Sequence, residues 1–336
     1  MEKTLTIIVP SYNSEAFLKK CLESFLVAED IRGGLEVIIV NDGSTDGTQE
    51  VAEGYCNKYP DTFRVIRKEN GGHGSAINTG AAAAAGKYLK IIDADDWVNP
   101  KELEKYLKFL ANAESDVVFN HYVTYNIATG EQKKYTVEVP AGETVYTLDT
   151  LMQDWSKIEW GTTFHGIAYK TSFYQVCGYQ LTEKVFYEDQ EYATMPCCRA
   201  QSIQIADCEL YVYRIGDVTQ SVSAENQVKR LGHFEQVISN MLAKKPEGLS
   251  TGGELYWEKK VSMCITSYYE IALLKNKNYR AGRKRAAGFN RKIKELQPEV
   301  YQRLRKKYLV FWVLNQFHVE AEQYEKWWSE IKRRWT

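Results

Sequence analysis

At 336 residues, 44% of them hydrophobic, the chain is long enough to bury one large core and a second, smaller one. Seven cysteines, odd in number and without a CxxC pair, exclude a disulfide framework and read as thiols of a reducing compartment; five scattered histidines form no zinc pattern. The formal charge of −1 conceals a division, because residues 1–219 carry 20 Lys and Arg against 32 Asp and Glu, whereas residues 220–336 carry 23 against 12.

Leu5 to Val9 is a β-branched run ended by Pro10-Ser11-Tyr12-Asn13-Ser14, and Glu15 to Val27 repeats apolar residues at helical spacing. Leu35 to Val40 is a second strand, stopped by the turn formers and N-caps of Asn41 to Gly47. A helix follows, then a third strand over Phe63 to Ile66 and the glycine-rich stretch Glu69 to Gly80, with a helix expected to begin at Ser75. Tyr88 to Ile92 reads as a buried strand, and Asp93-Ala94-Asp95-Asp96-Trp97 follows it directly. Carboxylates are seldom buried unless paired or on a metal, so this cluster suits a divalent cation held by oxygen ligands. It also suits a polar turn in which Asp96 or Asn99 caps the helix starting near Pro100.

Beyond that helix, Asp116 to Tyr125 and Tyr135 to Val139 read as strands around a turn at Thr129-Gly130, Leu148 to Asp154 as a helix and Ile167 to Tyr169 as a strand. Near-continuous apolar strands alternating with helices indicate a parallel, doubly wound α/β sheet, on which ligands bind at the carboxyl ends of the strands. Pro10 to Asn13, Asn41 to Asp46, Asn70 to Asn78 and Asp93 to Asp96 all fall there and converge on one crevice. Two rival nucleotide folds fail: Ile77 stands where a dinucleotide fingerprint needs its third glycine, and no Gly-Lys-Ser or Gly-Lys-Thr is present.

The strings IVPSYNSE, VIIVNDGSTDGT, NGGHGSAINTG and IIDADDW resemble, in order and spacing, the nucleotide-binding half of the family 2 glycosyltransferases. The resemblance is strong over roughly residues 4–115 and fades by about 215. It implies a GT-A fold, a Rossmann-like, mostly parallel sheet flanked by helices, in residues 1–219, with a nucleotide-binding half at 1–115 and an acceptor half at 116–219. By the same resemblance Pro10, Tyr12, Glu15, Asp42, Asn70, Asp93 and Ala94 bind the nucleotide, and Asp93 and Asp95 hold Mn2+ or Mg2+. An aspartate such as Asp42 can accept the imide N–H of uracil, which favours a UDP-sugar donor. Family members carry Arg where Ile77 stands; the missing phosphate contact leaves His73 either as a substitute or as a solvated loop imidazole.

Val185 to Tyr192 resembles the family's Glu-Asp motif, which assigns Asp189 as general base of an inverting reaction with Glu188 beside it; an acidic helix start has the same composition. Trp160 and His165, aromatic and polar together, are candidates for the acceptor side, as is Glu188. The resemblance implies transfer of a single hexose or N-acetylhexosamine, because the processive Gln-x-x-Arg-Trp motif is incomplete: Ile331 replaces its glutamine before Arg334-Trp335. The acceptor it implies is a glycan or lipid-linked intermediate of bacterial surface polysaccharide, whether capsule, exopolysaccharide or teichoic acid. A same-fold nucleotidyltransferase would want a Gly-rich, basic N-terminal loop that Pro10 to Glu15 does not supply, and a silent binding module would have no need of Asp93, Asp95 and Asp189 together.

Residues 220–336 read as a basic helical domain, with helices over Val228–Leu242, Glu254–Lys275, Arg280–Gln297, Val300–Gln316 and Glu320–Trp335. Basic runs alternate with Trp312, Phe317, Trp327, Trp328 and Trp335. That suits an anionic membrane face, no nucleic-acid recognition motif accompanying the charge, and equally suits a helical bundle with a solvated basic face. No apolar run nears the ~20 residues of a membrane span, and Leu5 to Pro10 is too short for a signal segment, so a cytoplasmic protein is expected, peripheral at the inner membrane face if the tail binds lipid.

Overall fold

The computed structural model describes residues 2–216, 224–324 and 326–327. Contacts divide the chain into two compact units, Met1–Asp217 with Pro246–Tyr256, and Val218–Lys245 with Trp257–Thr336.

The first unit is built on β1 (Leu5–Ser11), β2 (Leu35–Asn41), β3 (Phe63–Arg67), β4 (Tyr88–Ile91), β5 (Trp97–Val98), β6 (Val117–Asn126), β7 (Gln132–Tyr135), β8 (Ile167–Lys170) and β9 (Ile203–Ile215). They form one nine-stranded sheet in the order β3-β2-β1-β4-β8-β6-β9-β5, with β7 on β6. The pairs β2·β3, β1·β2 and β1·β4 are parallel, as βαβ crossovers require. Every residue of β1 and β2 is buried, the signature of strands covered on both faces. The expected parallel character stops at β4: β8 runs antiparallel to both β4 and β6, so the sheet is mixed in its second half.

Helices α1 (Glu15–Glu23), α2 (Thr48–Lys58), α3 (His73–Ala83), α4 (Pro100–Asn112) and α5 (Asp189–Thr194) flank the sheet. Helix α4 starts as read, with Pro100 in its first turn and the Asn99 side chain accepting from Lys101 N at 3.1 Å, a cap worth about 1 kcal/mol. It buries Leu103, Tyr106, Leu107 and Leu110, each contributing about 1.5–3 kcal/mol. Helix α3 lies hard on β1, because a Cβ at Gly80 would fall inside the Ile8 side chain.

Several boundaries differ from expectation. Helix α1 ends at Glu23, four residues short, and α3 begins at His73. The strand expected over Tyr135–Val139 is instead Gln132–Tyr135, because it pairs with Tyr122–Tyr125 across a tight turn in which Gly130 N donates to Asn126 O. Leu148–Asp154 is an α turn followed by a 3₁₀ turn. The longest strand, β9, follows no expected element at all.

The second unit contains α6 (Leu231–Ala243), α7 (Thr251–Glu270), whose first residues belong to the other unit, α8 (Tyr279–Leu296) and α9 (Pro298–Gln316). Its core includes Val237, Ile238, Met241, Val261, Ile265, Tyr268, Phe289 and Ile293. The first tail helix breaks at Arg230, and α7 runs on through a π turn at Ile271–Lys275. Residues 321–324 are helical; most of the expected last helix, with Trp328, Ile331, Arg334 and Trp335, lies outside the described residues. No described helix is long and apolar enough to cross a membrane.

Candidate active site

The carboxyl ends of β1, β2 and β4 form one edge. Pro10 is buried in the end of β1, Tyr12 is 53% exposed beyond it, and Asn13 takes a positive φ of 49°. That turn is pinned to the loop after β2: Asn13 N donates to Ser44 Oγ at 3.0 Å, Thr45 N to Asn13 Oδ1 at 2.9 Å and Gly47 N to Glu15 Oε2 at 2.9 Å.

Asp42 is buried, and its carboxylate is largely committed inside the protein. Oδ1 accepts from Lys68 Nζ at 2.7 Å and Gly71 N at 2.9 Å, and Oδ2 accepts from Gly72 N at 2.7 Å, which leaves one lone pair on Oδ2. Asn70 is exposed and donates to Asp42 O at 2.9 Å. The glycine run thus serves to wrap Asp42. Gly72 needs its φ of 87°, and a side chain at Gly74 would strike Thr182 O.

Between those glycines sits His73, neither solvated nor free. Nε2 lies 2.9 Å from Asp93 Oδ1 and Nδ1 2.6 Å from Glu188 Oε1. Burial opposes charging of the ring, but the Asp93 and Glu188 carboxylates outweigh it and hold the imidazole well above its ordinary value. As an imidazolium it donates to both. Asp93 is likewise pushed up by burial, but His73 overrides that and lowers it. Ile77, in the place of the family's arginine, is fully buried, and Asn78 clamps Leu181 with reciprocal bonds of 3.0 Å.

Asp93, Asp95 and Asp96 offer oxygens that lie within 4.8 Å of one another. An all-carboxylate donor set is the chemistry of Mg2+ or Mn2+, so the residues fit such an ion. They are not equivalent. Asp96 accepts from Tyr211 OH at 2.6 Å and Arg214 N at 2.7 Å, and Asp93 Oδ1 faces His73. Burial, then Asp93, raises the Asp95 carboxyl; burial, with Asp93 and Asp95, raises Asp96 much further. Arg214 and His73 act on Asp95 through their charge, but both Asp96 oxygens and Asp93 Oδ1 are engaged by hydrogen bonds, which leaves Asp95 the least engaged carboxylate of the three among the described residues. Ala94 is buried between them.

On the other side of His73, Tyr187 takes a φ of 77°, a strained value for an aromatic residue, immediately before Glu188 and α5. Glu188 is buried, and its Oε2 has no partner. Asp189 opens α5 half-buried, accepting from Gln190 Nε2 at 2.9 Å. Glu191 is fully buried and occupied by Tyr179 OH, Thr182 N and Thr182 Oγ1 at 2.7–2.9 Å.

The His165 ring stacks on Tyr213 at 4.3 Å and meets Tyr211 edge-on at 4.8 Å. Burial lowers its pKa to about 4, Asp93 working against that and Lys90 with it, so it is neutral at pH 7. Trp160 is 39% exposed and edge-on to Tyr135, which stacks on Tyr122 beside His165. The two acceptor candidates therefore share one aromatic row.

Sequence reasoning passed over three contributors. Lys90 read as part of an apolar run, yet its ammonium is fully buried and donates to Asn120 Oδ1, His165 O and Ile167 O at 2.9–3.0 Å; burial lowers its pKa to about 7. Tyr211 and Arg214 come from β9, whose alternation of Ile203, Ile205, Tyr211 and Tyr213 was the available signal.

A family model described as "Glycosyl transferase family 2" matches residues 6–186. Glycosyltransferase GlyA of Streptococcus pneumoniae is 32% identical over 130 residues, 39% of this chain and 18% of that protein. The matches span less than half the length of the curated relatives. Among solved structures, S. aureus TarS 1-349 in complex with UDP-GlcNAc superposes with a TM-score of 0.66 at 18% identity, over 96% of this chain and 91% of that one. The mannosyltransferase PcManGT from Pyrobaculum calidifontis, in complex with GDP-Man and Mn2+, gives 0.53 at 19% identity over 94% and 88%. The fold is GT-A, and with more than half its length matched by the family model, the chain belongs to glycosyl transferase family 2.

Proposed function

We propose that the protein is an inverting, metal-dependent glycosyltransferase that moves one hexose or N-acetylhexosamine from a UDP-sugar to a hydroxyl. The acceptor is a glycan or lipid-linked intermediate of bacterial surface polysaccharide, met at the cytoplasmic membrane face. The observation that carries this reading is the His73 bridge, which holds Asp93 of the carboxylate cluster and Glu188, the residue before Asp189, on the two nitrogens of one imidazole. Donor-side and acceptor-side acids are thereby fixed to one another, as a direct displacement needs.

Asp95, with Asp93, would hold the divalent cation, which supplies the charge neutralisation a departing diphosphate requires. The free lone pair of Asp42 Oδ2 suits the imide N–H of uracil, beside Tyr12 and Asn70. Asp189 takes the acceptor hydroxyl proton as the new bond forms. Trp160 and His165 line the acceptor side. The complex of TarS with UDP-GlcNAc supports the donor, and the complex of PcManGT with Mn2+ supports the metal class.

The test is metal-dependent hydrolysis of UDP-Glc, UDP-Gal, UDP-GlcNAc and UDP-GalNAc, followed by the anomeric configuration of the product. One of the four should turn over with Mn2+ and not with chelator. Turnover of none, with no UDP binding by calorimetry, would sink the reading.

A further inference from the structure

Helix α9 packs through Val300, Leu304, Phe311 and Asn315. A helix packed on one face ordinarily turns polar groups outward on the other. On α9 this holds only for the first half, where Gln302, Arg303, Arg305, Lys306 and Lys307 are exposed. At 100° per residue the opposite face continues through Leu309 and Val313, flanked by Val310, Phe317 and Trp312, and these are 49%, 46%, 52%, 78% and 36% exposed. Among the described residues of this unit, none covers these five neighbouring large apolar side chains.

The charge on the same helix says what fits them. Glu299 is the one acid of α9, and of its exposed cations Arg303 is paired, with Glu258. Arg305 and Lys306 stand beside the apolar half with no acid on the helix to receive them, whereas Lys307 turns toward the packed side, where Lys259 and Glu270 act on it. A second copy docking through this face would set these cations against apolar surface or against each other. An anionic lipid surface meets both halves: phosphates take the cations, whose long stems reach up from the helix, and the acyl boundary takes Leu309, Val313 and Phe317, with Trp312 at headgroup level.

We propose that the outward face of α9 is a docking surface for an anionic lipid bilayer. The proposal deepens the lipid-acceptor reading above and rests on it for its purpose, while its test is independent of catalysis. The full chain is sedimented with vesicles of phosphatidylcholine alone or mixed with phosphatidylglycerol, at low and high salt. Wild type should bind the mixed vesicles and lose about tenfold in affinity on neutral ones or at high salt. Val313→Glu with Phe317→Glu should lose at least about tenfold on mixed vesicles, with the melting temperature and UDP-sugar hydrolysis unchanged. Arg305→Gln with Lys306→Gln should weaken binding to the mixed vesicles alone. The proposal is overturned if wild type fails to bind mixed vesicles, if Val313→Glu/Phe317→Glu binds as well as wild type, or if that variant instead converts an oligomer to a monomer. Vesicle binding as expected, with wild-type transfer no faster to a lipid-linked acceptor in mixed vesicles than to the same glycan free in water, would keep the surface and remove the lipid-linked acceptor.

Discussion

His73 Nδ1 stands 2.6 Å from Glu188 Oε1, joining side chains 115 residues apart and leaving Glu188 Oε2 buried with no partner. Removing His73 would strand a whole carboxylate in the interior, whereas removing the charge on Glu188 as well would not. His73→Ala should therefore cost about 2–3 kcal/mol, below the usual cost of breaking a buried pair because the imidazole is partly exposed. His73→Ala/Glu188→Gln should recover most of that in chemical denaturation. Equal stability of single and double mutants would show that the pair is not coupled.

Asp95→Ala should remove the metal-dependent increment of UDP-sugar affinity, at least about tenfold, and leave metal-free UDP binding as it was. The loss follows from Asp95 being the least hydrogen-bonded carboxylate of the cluster, Asp96 being held by Tyr211 and Arg214 N and Asp93 by His73. Calorimetry with and without Mn2+ measures both. An unchanged increment would move the ion to other ligands.

Asp189→Asn should lower transfer by about 10²- to 10⁴-fold while UDP-sugar affinity stays near wild type, because an amide cannot accept the acceptor's proton. Glu191 is already filled by Tyr179 and Thr182, so normal turnover in this variant would transfer the role to Glu188.

Lys90 gives a dependence on pH whose sign is fixed. Its folded pKa, about 7, lies below the unfolded value, so between the two the unfolded chain binds the extra proton and stability rises with pH. Lys90 should add about 0.7 kcal/mol per pH unit to the slope of unfolding free energy at pH 7, rising toward about 1.4 above pH 8, while the thiols, which titrate at about 8.5 in the unfolded chain, contribute alike with and without Lys90. Lys90→Met should flatten the slope by that amount, measured by urea titration across the range. An identical slope in both proteins would mean that the ammonium is not desolvated as its surroundings imply.

Much of the first unit was legible because its signals are local. Periodicity marked β1, β2, β3, β4 and α4, and Asn99 and Pro100 marked a helix start from their own side-chain chemistry. What escaped depends on partners distant in sequence. Lys90 looks like an interruption of an apolar strand until Asn120, His165 and Ile167 surround it with oxygen. His73 could not be assigned from its loop, since both its partners arrive from other elements. Strand β9 was missed where Asp207 and Glu209 break its alternation, at the register shift against Asn120 and His121 that brings Tyr211 opposite Tyr122.

The two amides that wrap Asp42 and the imidazole that spans Asp93 and Glu188 belong to three consecutive residues, Gly71, Gly72 and His73. A single short stretch of backbone thus fixes the Asp42 carboxylate at one end and the Asp93 and Glu188 carboxylates at the other. A substitution that moves Gly72 would therefore disturb both groups at once, since no residue separates the amide that holds Asp42 from the ring that holds Asp93 and Glu188.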